Sequence, residues 1–287
     1  MQAAGVRYIW HRSRSDEFRL WNISDIHWMA KACAESELRK DMKEIEDDPH
    51  SFWVGGGDYC DFIGYRDKRF DPDAVAEWVK IKDLGDLGKK GMEQIYRLFR
   101  PVKHKCLGLL LGNHELKYEL ATDQESLHGW LCTELGVPNL GYSCLFDIVF
   151  ARTPHIKAPQ LRKEPPVSGQ YASSIFRVFM HHGAGYAATP GGKLNRLIQF
   201  MNNWQADIYM CGHVHDQVAR KEPVLGANSD CTKIVERQRL GMVSGSYLKT
   251  YHQGSISYGE MKGYRPTSLG AAVAKITPET RNMAGEV

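Results

Sequence analysis

Apolar residues in this chain fall into short runs separated by charged, glycine-rich or proline-rich stretches, and most runs are strand-length. Residues 18–24 (FRLWNIS) predict a first strand, followed by a charged helix over about 33–47 that stops at Asp48-Pro49, because the residue before proline disfavours helical geometry. SFWVGGGD predicts a second buried strand, with glycines that let the backbone turn tightly. A long helix is expected from about Pro72 to Arg100, broken or kinked where KDLGDLGKKG carries three glycines. KCLGLLLGNHE gives a third strand, residues near 124–135 a helix, and 142–150 another strand. The proline-rich, basic segment 152–170 predicts an extended loop. SSIFRVFM leads as a strand into His181, GGKLNRLIQFMNNW reads as a helix, and ADIYM as a strand ending at Cys211-Gly212-His213. Beyond 217 the runs VAR, KIVERQRLGMVSGSY and AAVAKIT are all strand-like. Alternating strands and helices followed by a strand-rich tail predict a layered α/β fold in one domain.

Composition narrows this reading only a little. Hydrophobic residues at 43% and charged residues at 25% suit a globular protein with a sizeable core. No apolar stretch approaches the roughly 20 residues that span a bilayer, and the N-terminus lacks the apolar core of a secretory signal, so a cytoplasmic protein without a membrane partner is expected. Seven cysteines without CxxC spacing indicate neither a disulfide framework nor a zinc knuckle; Cys106, Cys144 and Cys211 read as small buried hydrophobes. A net charge of +3 is too mild to predict nucleic-acid binding by itself.

Five clusters of metal-ligand residues change the picture. They are Asp25-Ile26-His27, Gly57-Asp58-Tyr59-Cys60-Asp61, Gly112-Asn113-His114-Glu115, His181-His182 and Gly212-His213-Val214-His215. Each follows or sits within an apolar run, which places it at a strand end, where an α/β sheet gathers a site from distant parts of the chain. Asp25 and His27, two apart on an extended loop, would point the same way; Asp58 has two carboxylate oxygens with which to bridge two cations. Any one pair alone is more often loop polarity or a satisfied core histidine. Five in this order supply more ligands than one ion needs, and so indicate a two-metal hydrolase.

The string D-x-H, G-D-x-x-D, G-N-H-E, H, G-H-x-H resembles the calcineurin-like metallophosphoesterase superfamily over residues about 18–275, leaving 1–17 as an N-terminal extension and 276–287 as a C-terminal tail. The resemblance implies a four-layer α/β/β/α sandwich and two divalent ions, manganese first, with iron, zinc or nickel as alternatives. It implies Asp25, His27 and His215 on one metal, Asn113, His181 and His213 on the other, and Asp58 bridging both, with a hydroxide between the ions attacking phosphorus in line. His181 is preferred to its neighbour because it ends the apolar FRVFM run. His114 resembles the family histidine that stabilises the transition state or protonates the leaving oxygen, and Asp61 and Glu115 are expected to accept from imidazole N–H groups. Trp28, Tyr59, Arg66, Arg69, His182 and Lys193 lie close enough in sequence to contact substrate. The function expected is a metal-dependent phosphodiesterase, nucleases included, on a nucleic acid or nucleotide. The alternatives are a phosphomonoesterase and, from a different class, a catalytically silent binding scaffold.

Overall fold

Strand alternation in Phe18–Ile23 turns Phe18 and Leu20 to one face and Trp21 and Ile23 to the other, and both faces are buried. That two-sided burial sets the architecture of the computed structural model, which describes residues 1–62, 74–80, 86–122, 126–167, 171–185, 189–253 and 257–287. In chain order the strands are β1 (Gln2–His11), β2 (Phe18–Ile23), β3 (Ser51–Gly55), β4 (Cys106–Leu109), β5 (Ser143–Arg152), β6 (Gln160–Arg162), β7 (Ala172–His181), β8 (Ile208–Cys211), β9 (Val218–Ala227), β10 (Ile234–Val243), β11 (Ala272–Thr277) and β12 (Asn282–Glu286). The helices are α1 (Glu35–Asp47), α2 (Leu87–Phe99), α3 (Asn113–Thr122), α4 (Leu127–Leu135), α5 (Pro190–Asn203) and α6 (Tyr258–Met261).

The strands form a five-stranded sheet, β12-β11-β2-β3-β4, and a seven-stranded sheet, β6-β1-β5-β7-β8-β10-β9. A single apolar cluster joins Phe18, Leu20, Phe52 and Val54 of the first to Phe146, Phe150, Phe176, Val178 and Met180 of the second. Each such buried side chain contributes about 1.5–3 kcal/mol. Trp21, Ile23 and Trp53 on the other face of the five-stranded sheet pack with Leu38, Met42 and Ile45 of α1, Ile95 and Phe99 of α2, and Leu131 and Leu135 of α4. Phe179, Tyr209 and Val243 pack with Leu197 and Met201 of α5 on the outer face of the seven-stranded sheet. The expected α/β fold with helices and mixed sheets is what forms. No described helix is long and apolar enough to cross a membrane.

Parallel pairing places the site. β2, β3 and β4 run parallel in one sheet, and β7, β8 and β10 run parallel in the other. The C-terminal ends within each set therefore lie together, and the five loops that carry the candidate ligands leave from those ends.

Several expectations are corrected. Residues 1–17 are not an extension: β1 lies inside the seven-stranded sheet, parallel to β5 and antiparallel to β6. The boundary at 275 falls within β11, and the tail pairs back as β12, burying Met283. The 152–170 excursion carries the short edge strand β6. Described residues 74–80 hold no α-helix, and α2 starts only at Leu87. Its glycines are packing positions: a Cβ on Gly88 would come within 2.4 Å of the Tyr118 ring, and one on Gly91 within 2.8 Å of Met29 Sδ. α1 ends as expected before Pro49, and the buried Lys105 ammonium donates to the carbonyls of Ile45, Glu46 and Asp48 at 2.6, 3.0 and 2.8 Å, completing its last turn. All seven cysteines are free, and Cys106, Cys144 and Cys211 are buried.

His128 of α4 is buried beside the Tyr59 ring, and burial pushes its pKa down to about 4. It folds neutral, so its contribution is full above the unfolded value near 6.5 and is lost as pH falls from there towards 4. Denaturant unfolding of wild type and His128→Gln should therefore show wild type losing about 3 kcal/mol more than the variant between pH 7 and pH 4. Parallel losses in the two proteins would remove His128 as the cause.

Candidate metal centre

The loops after β3 and β4 touch backbone to backbone. A Cβ on Gly112 would lie 2.1 Å from the Asp58 nitrogen, and Gly57, at φ +95°, has the Gly112 Cα where its own Cβ would be, 2.7 Å away. Neither position accepts a side chain. Beneath this contact sits the Glu115 carboxylate, fully buried in the first turn of α3. It accepts from the backbone N–H groups of Asp58 (3.0 Å), Tyr59 (2.6 Å), Cys60 (3.4 Å) and Gly112 (3.1 Å). Glu115 thus accepts from main-chain amides rather than from the imidazoles expected of it. The loop after β2 joins the same layer, with Asp25 N–H donating to Gly57 O, His27 N–H to Asp58 O and Trp28 N–H to Tyr59 O at 2.9–3.1 Å.

The backbone at these residues is left-handed rather than extended. Asp25, His27, Asp58, His213 and His215 have φ between +50° and +70°. Such conformations cost about 1–3 kcal/mol each in a residue other than glycine, and they cluster at functional sites. Asp and His tolerate them better than most residues.

Side chains from all five loops converge here. Ligand atoms of Asp25, His27 and His215 lie within 4.8 Å of one another, as do those of His27, Asp58 and His114, and those of Asp58, His182 and His213. Asn113 Oδ1 is 3.0 Å from His182 Nε2, which is 3.3 Å from Asp58 Oδ2. His27 Nε2 and His215 Nε2 are 3.2 Å apart. Three histidines share one tautomeric arrangement. The Nδ1–H donates to Asp61 Oδ1 in His27 (3.1 Å), to Gly56 O in His182 (2.7 Å) and to Asp61 O in His114. Each Nε2 is left facing the cluster, where in the neutral imidazole its lone pair is free to ligate a metal.

The arrangement fits divalent cations. Among the described residues Asp25 Oδ1 is buried without a hydrogen-bond partner, with His215 Nε2 3.2 Å away. A cation satisfies a buried carboxylate oxygen of this kind. Burial lowers the pKa of His27 and His213 and so favours the neutral imidazoles that ligate metals. Burial opposes charge on both carboxylates too, yet the nearby histidines hold Asp25 down to about 2 and Asp58 well below its usual range. His182 is also opposed by burial, but Asp58 pushes it up to about 10, so in the cation-free cluster it carries the proton that a cation would replace.

One assignment is corrected: His182, not His181, joins this cluster. In β7, Phe176, Val178 and Met180 face the other sheet, so His181 falls on the opposite face with Phe179. There it stacks on Phe200 of α5 and its Nδ1 accepts from Gly183 N–H at 2.9 Å. The next residue turns inward. His182, expected among the substrate contacts, lies instead with Asp58 and His213 in the cluster.

Other expected contacts sort differently. Tyr59 is fully buried and donates to Leu110 O at 2.8 Å, and Trp28 is 3% exposed, held between Arg39 and Trp78; both belong to the core. Arg66 and Arg69 lie outside the described residues. Lys193, near the start of α5, does line the site, with Nζ 3.3 Å from Asp216 Oδ2. It faces a cavity of about 320 Å³ whose floor is His27, Asp58, His114, His213 and His215. The far wall is Thr250, Gly263, Tyr264, Arg265 and Thr267, a segment that sequence reasoning left without a role. Its sole signal was GYRPTS, polar and cationic between strand-like runs.

A family model described as calcineurin-like phosphoesterase matches residues 18–217. No curated protein matches. Three solved structures show remote likeness. A conserved uncharacterized protein from Streptococcus pneumoniae TIGR4 is 11% identical, with TM-score 0.33 and 91% of this chain and 84% of that one covered. A Vps29 double mutant from Entamoeba histolytica is 10% identical, with TM-score 0.37 and coverage of 94% and 98%. Nuclease MPE from Pseudomonas putida is 9% identical, with TM-score 0.31 and coverage of 93% and 87%.

The histidine pair gives a direct test. Calorimetric titration with Mn²⁺ should show at least about 100-fold weaker binding in His182→Ala, whereas His181→Ala should stay within roughly threefold of wild type. The reverse order would return the ligand role to His181.

Proposed function

The chain belongs to the calcineurin-like phosphoesterase family, and on that premise we propose that it is a metal-dependent phosphodiesterase acting on small phosphate esters. The observation that carries this reading is Asp58, whose carboxylate is shared between two adjoining groups of ligand atoms. Asp25, His27 and His215 would hold one divalent cation and Asn113, His182 and His213 a second, with Asp58 common to both. When bound, the cations supply positive charge that offsets the anionic phosphate and lowers the barrier to attack at phosphorus.

The chain's own groups do the remainder. Asp61 and Gly56 orient the imidazoles of His27 and His182 through their Nδ1–H groups. The main-chain amide of His114 donates to Asp58 Oδ1 at 2.9 Å, fixing the bridging carboxylate. His114 itself supplies a proton: burial works against its charge, but Asp58 and Asp61 outweigh that and raise its pKa. With Nδ1–H donated to Asp61 O, its Nε2–H points to the cavity and can pass to the departing oxygen. The cavity's modest volume favours a small ester over a duplex.

A second reading, phosphomonoester hydrolysis, draws support from Arg265, a cation on the cavity that suits a dianionic substrate. Manganese-supported hydrolysis of bis-p-nitrophenyl phosphate should exceed that of p-nitrophenyl phosphate by about tenfold in kcat/KM. A preference for the monoester sinks the diesterase reading, and failure to bind metal or cleave either ester leaves a binding scaffold.

His114→Ala should lower kcat by about 10²–10⁴-fold on a diester with an alkyl leaving group. The loss should be much smaller with p-nitrophenolate, which departs without a proton. Equal losses on the two esters would assign His114 to positioning instead.

A further inference from the structure

The cavity has two chemically different sides. Its floor is the imidazole and carboxylate cluster, and its far wall is a segment closed on itself by hydroxyl groups. Thr250 N–H donates to Thr267 Oγ1 at 3.0 Å, Thr267 Oγ1 donates to Leu248 O at 2.7 Å, and Thr250 Oγ1 donates to Arg265 O at 3.0 Å. Tyr251 Oη adds a bond to Tyr264 O at 2.8 Å. This latch fixes the backbone on which Arg265 stands at the cavity wall.

The two cations on the cavity differ. Lys193 is neutralised by Asp216 at 3.3 Å. Arg265 has no carboxylate partner among the described residues and is an exposed residue lining the cavity. A guanidinium offers a planar fork of donors matched to a phosphate's oxygens. The cavity, at about 320 Å³, is at the small end for ligand sites, so both its sides are within reach of one small molecule.

We propose that this is a two-anion site, in which the floor takes the reacting phosphate and Arg265 takes a second, non-reacting phosphate on the same small substrate. The proposal rests on the phosphoesterase reading and names the substrate class: a small ester, nucleotide-like in size, that carries another phosphate.

The test uses the manganese-loaded full chain and the p-nitrophenyl ester of thymidine 5′-phosphate, with and without a 3′-phosphate. Wild type should favour the 3′-phosphorylated ester by about tenfold in kcat/KM, through KM. Arg265→Ala should bring that ratio close to one, Arg265→Glu should invert it, and Arg265→Lys should keep part of it. Because the ratio comes from one preparation, any loss of folded protein cancels. A wild-type ratio near one, or a ratio that survives Arg265→Ala, overturns the proposal. So does about tenfold faster cleavage of a thymidylate oligonucleotide than of the small bisphosphate, since the second phosphate would then belong to a polymer. If wild type cleaves none of these, the phosphodiesterase reading fails, and calorimetry with methylenediphosphonate against methylphosphonate decides the site. About tenfold tighter binding of the diphosphonate, abolished in Arg265→Ala, supports two anions, and equal binding overturns them.

Discussion

The buried Glu115 carboxylate is the interaction on which the centre depends. Four main-chain amides from two loops converge on its two oxygens. Buried without an acceptor, each of those amides would cost about 1–3 kcal/mol, so the loops are held together by a shared need for the same acceptor. The backbones can approach that closely only because Gly57 and Gly112 carry no side chains. Asp58 is aimed by this arrangement, and the chain after β2 is aimed in turn by its backbone bonds to the Asp58 loop.

A further ordering comes from the histidines. Asp61 accepts from His27 through its carboxylate and from His114 through its carbonyl, so one residue sets the tautomer of both a proposed ligand and a proposed acid. Neither Asp25 nor Asp58 pairs with Lys or Arg among the described residues; both face imidazoles. Both carboxylates stay charged in the interior on imidazole partners, with His182 carrying a proton beside Asp58, and that surplus of buried negative charge suits a divalent cation.

How far the sequence reached depends on the local physics. Strand ends were readable because parallel, two-sided buried strands appear as apolar runs closed by polar loops. That same burial hid which histidine turns inward. Phe179 is apolar because α5 covers it, so FRVFM gives no clean alternation, and only Arg177 betrays the outer face. Trp28 and Tyr59 sit beside proposed ligands in sequence, but their rings are buried by helices packed from elsewhere in the chain. The start of α3 inside G-N-H-E was not foreseen, and with it Glu115's reach to the amides. The wall formed by Thr250 and residues 263–267 has no apolar period, since it is held by hydroxyl groups rather than by burial. β1 escaped notice because one of its faces is largely exposed and its alternation is weak.

The position of β1 has a consequence for how the chain matures. Its parallel partner is β5, with Gln2 opposite Cys144 and His11 opposite Arg152. During synthesis at about 5–20 residues per second, the first strand waits on the order of ten seconds before its partner exists. The five-stranded sheet is interrupted in the same way, since β11 pairs with β2 across nearly the whole chain. Neither sheet is complete until these distant partner strands have emerged, and the corresponding strand edges stay unpaired until then. Apolar faces and strand edges left open that long are the surfaces through which an emerging chain associates with itself.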